Sequence, residues 1–212
     1  MTKVLEIHPA NPQKRLIQSA AAIVRKGGVV VYPTDSCYAL GCHIGDKTAL
    51  ERIQRIRALD KKHNLTLLCR DLSEIGTYAK VHNSSFRLMK SVTPGPYTFL
   101  LAATREVPSR LQHPKRKTIG VRIPDNQIIL DLLEELGEPM LSTSMILPGN
   151  ELPMIDPGEI ADKLCGQIDL VIDGGACGLG ATTVVDLADG QVVVVREGMG
   201  DISAIGIDTL DT

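Results

Sequence analysis

The sequence predicts a single α/β domain, a twisted mixed sheet with helices on its faces. Three observations carry this prediction. Short apolar runs of strand length alternate with segments of helical spacing through the first two thirds of the chain. Two β-rich runs separated by Asp189-Gly190 follow near the end, which adds antiparallel pairing to the parallel crossovers. The 212 residues contain no repeat, low-complexity tract or long linker, which suits one domain with a substantial core. The domain is expected over residues 10–200, with 201–212 as a loose C-terminal tail.

The elements follow in order. Asn11-Pro12 has the cap-then-proline signature of a helix start. Leu16, Ile17, Ala20, Ala21, Ile23 and Val24 then keep helical spacing to Lys26, and Gly27-Gly28 ends it. Val29 to Tyr32 reads as a buried strand that runs into Pro33 and the polar cluster Thr34-Asp35-Ser36. Asp46 is placed to cap a helix reaching about Ala58, with Leu50, Ile53 and Ile56 on one face. Residues 65–69 form a second buried strand, and short helices start at Ser73 and Asn83. The proline–glycine turn at 93–96 leads into a strand to 104. Residues 117–124 form another strand, with Ile119, Val121 and Ile123 inward. Asp125 caps a helix to Leu136, stopped by Gly137. A strand at 139–144, an acidic helix at about 157–165 and a strand at 169–173 follow, and Gly174-Gly175 turns the chain. Residues 182–187 and 191–198 form the hairpin, since Asp-Gly suits a turn with positive φ.

Composition narrows the class. The chain is 43% hydrophobic and 23% charged, with no Trp and two Phe, so its core is aliphatic. No apolar run approaches the ~20 residues that span a bilayer, and the N-terminus has no apolar signal region. Five cysteines, an odd number without a C-x-x-C pair, fit a reducing compartment. A cytoplasmic protein without membrane partners is expected. The charge is divided unequally: residues 1–122 hold 21 Lys and Arg against 8 Asp and Glu, and residues 123–212 hold 2 against 17. Two readings stand, a polyanionic partner for the basic part or mutual neutralisation across one folded surface.

The chemistry encoded is that of hydroxyls and arginines. Neither G-x-x-x-x-G-K-[ST] nor a G-x-G-x-x-G after the first strand is present. The five histidines are scattered without metal-ligand spacing, so no structural metal is expected. Cys42 and His43 are adjacent, and neighbours on a strand face opposite ways, which argues against a thiol–imidazole pair. Hydroxyls recur at strand ends: Thr34 and Ser36, then Ser142, Thr143 and Ser144, then Thr182 and Thr183. Beyond strand ends of open α/β sheets such groups suit phosphate or carboxylate oxygens, the alternative being local turn chemistry. Arg122 and Arg196 are either anion clamps or halves of salt bridges, Glu197 being the nearest partner for Arg196. Arg52, Arg55, Arg57, Lys61, Lys62 and His63, with the basic loop at 110–117, would funnel a polyanion toward such a site or be merely solvated.

These residues resemble a known family. "PTDSCYALG" (33–41) is similar to the P-T-[ED]-T-x-Y-G-L-G signature of the YrdC family, the threonylcarbamoyl-AMP synthases of tRNA modification. The likeness continues through "TPGPYTFLL" (93–101), "TIGVRIP" (118–124), "EPMLSTS" (138–144), "DLVIDGG" (169–175), "TTVVDL" (182–187) and "VVREG" (194–198), in order, over about residues 15–200. The resemblance implies a twisted α/β sheet with an electropositive concave cavity. It also implies condensation of ATP, L-threonine and bicarbonate to threonylcarbamoyl-AMP and pyrophosphate, with Mg²⁺ accompanying ATP. The carbamoyl group then goes to an adenosine in tRNA, the t6A modification, and some members are described as binding double-stranded RNA. Carried over residue by residue, Thr34, Tyr38, Arg122 and Thr183 would hold substrate. Arg57, Ser142, Ser144 and Arg196 would hold the nucleotide. The family's K-x-R motif here reads Arg57-Ala58-Leu59, its S-x-N motif reads Ser144-Met145-Ile146, and a family histidine falls at Cys69. These departures look like the YciO branch and put turnover at issue, the alternative being a non-catalytic paralogue that binds double-stranded RNA or a nucleotide. Asp35 is expected to anchor its turn, since its side chain can cap neighbouring amides, and Cys37 to be a small core filler.

Overall fold

The computed structural model describes residues 2–59 and 65–206. The chain opens on a strand absent from the sequence reading, β1 (Lys3–Glu6). Helix α1 (Lys14–Arg25) follows. It starts later than Asn11-Pro12 because His8 Nδ1 accepts from the amides of Ala10 and Asn11, which holds residues 8–11 in a turn of their own. Next come β2 (Val30–Tyr32) and β3 (Ala39–His43), the latter also unanticipated. Helix α2 (Lys47–Arg57) has the expected cap, Asp46 accepting from the Ala49 amide at 2.8 Å. The chain continues through β4 (Thr66–Leu68), α3 (Leu72–Tyr78), the two-residue β5 (Ala79–Lys80), α4 (Asn83–Val92), β6 (Tyr97–Ala103) and β7 (Thr118–Arg122). Helix α5 (Gln127–Leu136) is capped by Asn126 rather than Asp125, because the Asn126 side chain accepts from the Ile128 and Ile129 amides. Gly137 ends it at φ +73°. Then follow β8 (Met140–Ser144), α6 (Pro157–Lys163), β9 (Leu170–Asp173), β10 (Thr183–Asp186) and β11 (Val193–Arg196).

All described strands join one mixed sheet in the order β1-β9-β2-β3-β8-β4-β7-β6-β10-β11, with β5 on the flank of β6. The α/β class holds, and the order interleaves early and late strands. β9 separates β1 from β2, and β8 separates β3 from β4. The terminal pair is looser than a two-residue Asp-Gly hairpin. Asp186 faces Val193, so the connection runs over 187–192, with Gly190 at φ +76° within it. The register slips by one at Val184/Val185, a bulge that leaves Val195 without a partner and sets Arg196 opposite Val184.

Alternation decides what each face of the sheet does. Leu40, Leu67, Phe99, Val121, Leu141 and Val185 lie in one apolar cluster with Leu50, Ile53, Ile75, Met89 and Ile160 of α2, α3, α4 and α6. On the other face, α1 and α5 pack Ile17, Ala21, Val24, Ile128, Leu132 and Leu136 against Val30, Tyr32, Met140, Leu170 and Ile172. That second cluster stops near Ala39 and Leu68, and beyond them none of the described helices packs on this face. Residues 203–205, read as the start of a loose tail, form a 3₁₀ turn with Ile205 buried in the first cluster. The rest of the expected tail, 207–212, lies outside the described residues, as do Lys61, Lys62 and His63.

The unequal charge is neutralised in part by folding. Arg52 reaches Asp169 at 2.8 Å, and Arg116 pairs with Asp186 and lies 3.8 Å from Asp189. Arg110 of the basic loop is likewise engaged, donating to the Gly45 carbonyl at 2.8 Å. Two of the basic segments read as a funnel thus spend an arginine or two on the domain itself.

Candidate functional site

The uncovered stretch of sheet is a cavity of about 390 Å³. It lies on a face of the sheet, not beyond the strand ends. Its floor is built from alternate residues of neighbouring strands: Ala39 of β3, Ser142 and Ser144 of β8, Thr66 and Leu68 of β4, Arg122 of β7, Thr98 and Leu100 of β6, and Val184 of β10. Thr34, Cys37, Arg57, Thr143, Ile146, Ala181, Thr182, Val195 and Arg196 complete the lining.

Six of the eight residues expected at a site therefore converge: Thr34, Arg57, Arg122, Ser142, Ser144 and Arg196. Tyr38 and Thr183 do not line it. Both are fully buried, and both hydroxyls are occupied. Tyr38 donates to the Gly175 carbonyl at 2.8 Å. Thr183 donates to the Gly200 carbonyl at 2.6 Å and accepts from the Gly198 amide. Period-2 alternation holds the signal that separates them. Tyr38, Leu40 and Cys42 share the core face of one strand and Thr183, Val185 and Leu187 that of another, so Thr182, not Thr183, turns to the cavity.

The turn after β2 is organised by Thr34, not Asp35. Thr34 Oγ1 accepts from the amides of Ser36 and Cys37 at 3.2 Å each and donates to the Cys37 carbonyl at 2.6 Å. Asp35 instead forms an ion pair with Arg122, whose Nη1 also donates to Ser36 Oγ at 3.0 Å. Cys37, read as a core filler, is buried and also borders the cavity. Ser142 Oγ accepts from the Tyr32 hydroxyl at 2.7 Å and keeps its own hydrogen to donate. Gly41, paired with Ser142, leaves room for that phenol: a Cβ there would stand 2.6 Å from Tyr32 Oη.

Arg196 does not pair with Glu197. The bulge turns it to the cavity, where Nε and Nη2 donate to the Thr182 carbonyl at 3.2 and 2.9 Å. Thr182 Oγ1 in turn lies 2.9 Å from Thr98 Oγ1. Burial lowers the pKa of Arg57 and Arg196 from the ordinary guanidinium value, and no described carboxylate forms a salt bridge with either. Both remain cations at neutral pH. Buried atoms without partners concentrate here as well: Arg57 Nε, Arg122 Nε and Asp35 Oδ2. Guanidinium groups above a floor of hydroxyls are an anion site in physical terms. Among the described residues no group of three or more His, Cys, Asp or Glu is placed to hold a metal ion. None of their helices is long and apolar enough to cross a membrane.

The fold and cavity define an α/β protein with a cationic, hydroxyl-lined site on an open sheet face. The chain belongs to the Sua5/YciO/YrdC family, whose profile, described as "Telomere recombination", matches residues 22–198. YciO of Escherichia coli is 62% identical over 202 residues, 95% of this chain and 98% of that protein. Its crystal structure matches with a TM-score of 0.93 over 97% of this chain and 100% of that one. Threonylcarbamoyl-AMP synthase of Mus musculus is 30% identical over 205 residues, 91% of this chain and 71% of that protein. Pyrococcus abyssi Sua5 in complex with L-threonine matches with a TM-score of 0.85 at 27% identity, over 93% of this chain and 58% of that one.

Proposed function

We propose that the protein is an ATP-dependent acyl-adenylate synthase of the threonylcarbamoyl-AMP type, with turnover reduced or redirected relative to the family's synthases. The supporting observation is the convergence of Arg57, Arg122 and Arg196 on one hydroxyl-lined cavity, two of them free of any described carboxylate. In this reaction the amine of L-threonine joins the carbon of bicarbonate with loss of water, an oxygen of the resulting N-carboxylate attacks the α-phosphorus of ATP, and pyrophosphate leaves. The protein's task is to position the reactants and neutralise phosphate charge, which suits arginines and hydroxyls without a poised histidine. Arg57 and Arg196 would face the phosphates, with donors from Ser142 and Ser144. Arg122 would take a carboxylate. Mg²⁺ would arrive with the triphosphate as part of the substrate, since no carboxylate lines this cavity among the described residues.

Two positions motivate the reduced turnover. Leu59 packs on the core and Ile146 lines the cavity where the family motifs carry an arginine and an asparagine. Each charge-assisted bond given up is worth ~1.5–3 kcal/mol. The same positions favour a second reading, a paralogue that binds a nucleotide or double-stranded RNA without turnover. The RNA part of it draws less from the basic half than the sequence suggests, because Arg52, Arg110 and Arg116 are engaged within the domain. The deciding assay follows pyrophosphate and adenylate from ATP, L-threonine, bicarbonate and Mg²⁺ beside an active family synthase. Product above background supports the synthase. No product, with ATP still bound, supports the second reading. Binding of tRNA or duplex RNA would fall steeply with salt.

A further inference from the structure

One side chain joins the helix-covered part of the sheet to the cavity floor. Tyr32 belongs to the apolar cluster under α1 and α5 and is fully buried. Ala39 and Leu68 belong to the same cluster and also line the cavity. β2 and β8 flank β3 on its two sides. The Tyr32 phenol spans that strand, passing over Gly41 to end on Ser142 of β8. Its hydroxyl donates to Ser142 Oγ at 2.7 Å and has no other partner among the described residues. Burial holds the phenol proton well above its ordinary pKa, so Tyr32 stays a neutral donor at any physiological pH.

The direction of this bond fixes what Ser142 can do. A serine hydroxyl carries one hydrogen and two acceptor sites. The phenol takes an acceptor site, so the Ser142 hydrogen must point away from Tyr32. Ser142 lines the cavity floor, and among the described residues its side chain makes no second hydrogen bond. Bonds in such a chain polarise one another, which strengthens the outer donor. We propose that Tyr32 is a positioning residue that holds the Ser142 hydroxyl as a donor aimed into the cavity, at an anionic oxygen of the bound nucleotide. The inference rests on the adenylate-synthase reading above for the identity of that ligand. Tyr32 itself touches no ligand and acts through Ser142. The opposite arrangement is that Ser142 serves only to satisfy a buried phenol. It predicts losses of stability and none of affinity.

The test is a double-mutant cycle on Tyr32→Phe, Ser142→Ala and the double variant, read by ATP titration calorimetry with Mg²⁺ and by urea unfolding. Ser142→Ala is expected to weaken ATP about tenfold, the loss of a bond to a charged group. Tyr32→Phe keeps the ring and is expected to weaken ATP about three- to fivefold. The double variant should bind no worse than Ser142→Ala, because without the serine the phenol has nothing to aim. Ser142→Ala also strands the buried phenol, so its urea midpoint should fall, and the double variant should recover it. That recovery keeps the affinity comparison on a folded protein. Wild-type affinity in Tyr32→Phe overturns the inference. So do wild-type affinity in Ser142→Ala and single-variant losses that multiply in the double. Inorganic pyrophosphate serves as a second probe, since it carries the same anionic oxygens. A wild type that binds pyrophosphate but not ATP overturns the synthase reading, and the same cycle run with pyrophosphate then decides the role of Tyr32. A wild type that binds neither overturns both.

Discussion

One face of the sheet is built in two ways. Under α1 and α5 it is aliphatic, with Val30, Met140, Leu170 and Ile172 packed against Leu132 and Leu136. A few strands away the same face carries Thr66, Thr98, Arg122, Ser142 and Ser144, and none of the described helices lies above it. The change occurs within single strands. Met140 lies under the helices, while Ser142 and Ser144, two and four residues on, floor the cavity. Alternation settles which residues share a face. Whether that face becomes core or site depends on where the covering helices stop. Burial stabilises one part at ~25 cal/mol per Å² of apolar surface, and the other part is left with open donors and unpaired arginines.

The comparison can be broken most forcefully in the covered part. Leu132→Ala is expected to lower unfolding free energy by about 2–5 kcal/mol in urea titrations while leaving ATP affinity within about twofold of the wild type. Equal damage to ATP binding would show that the two parts are not separable. Next in size, Arg57→Ala should weaken ATP binding by about 10–100-fold, the loss of a charge-assisted contact of ~1.5–3 kcal/mol. Its unfolding midpoint should stay level or rise, because a desolvated cation is removed. A lowered midpoint would make Arg57 structural. Thr98→Val removes the hydroxyl bonded to Thr182 and should cost about 1 kcal/mol of ATP affinity, read by calorimetry.

The smallest effect at neutral pH belongs to a core thiol. Burial pushes Cys42 up from 9.0 to about 12. An unfolded chain releases that proton above about pH 9 and the folded chain retains it. Stability should thus be full below pH 9 and decline toward pH 12, and Cys42→Ala should flatten the decline in urea titrations across that range. An unchanged slope would remove Cys42 from the alkaline account.

Much of this architecture was legible because periodicity reports burial. The helices at Asp46 and 127–136 and the strands at 65–69, 117–124 and 169–173 announce themselves by caps and apolar runs. Strand β1 does not: Lys3-Val4-Leu5-Glu6 is a short edge strand whose partner is Leu170–Asp173, far along the chain. Strand β3 is masked by the polar turn before it and by Gly41, which exists for the Tyr32 phenol. At the site, hydroxyl and arginine positions led to six residues that line the cavity, while the parity of Val185 and Leu187 turns Thr182 rather than Thr183 toward it. The pairing of Asp35 was hidden for another reason. Its partner Arg122 is 87 residues away, and only the sheet brings them together.

The interleaved strand order has a consequence for how the protein is made. When synthesis has reached residue 122, β8 and β9 do not yet exist. β1 then has no neighbour, β2 and β3 form an isolated pair, and β4, β7 and β6 are cut off from both. Such non-local pairing folds slowly, and a 1–122 fragment is expected to melt without a cooperative transition. The basic portion leaves the ribosome first, and its acidic complement, Asp169 for Arg52 and Asp186 for Arg116, is translated last. The nascent chain is a polycation, and it becomes a nearly neutral protein only as the closing strands are threaded into the middle and the far edge of the sheet.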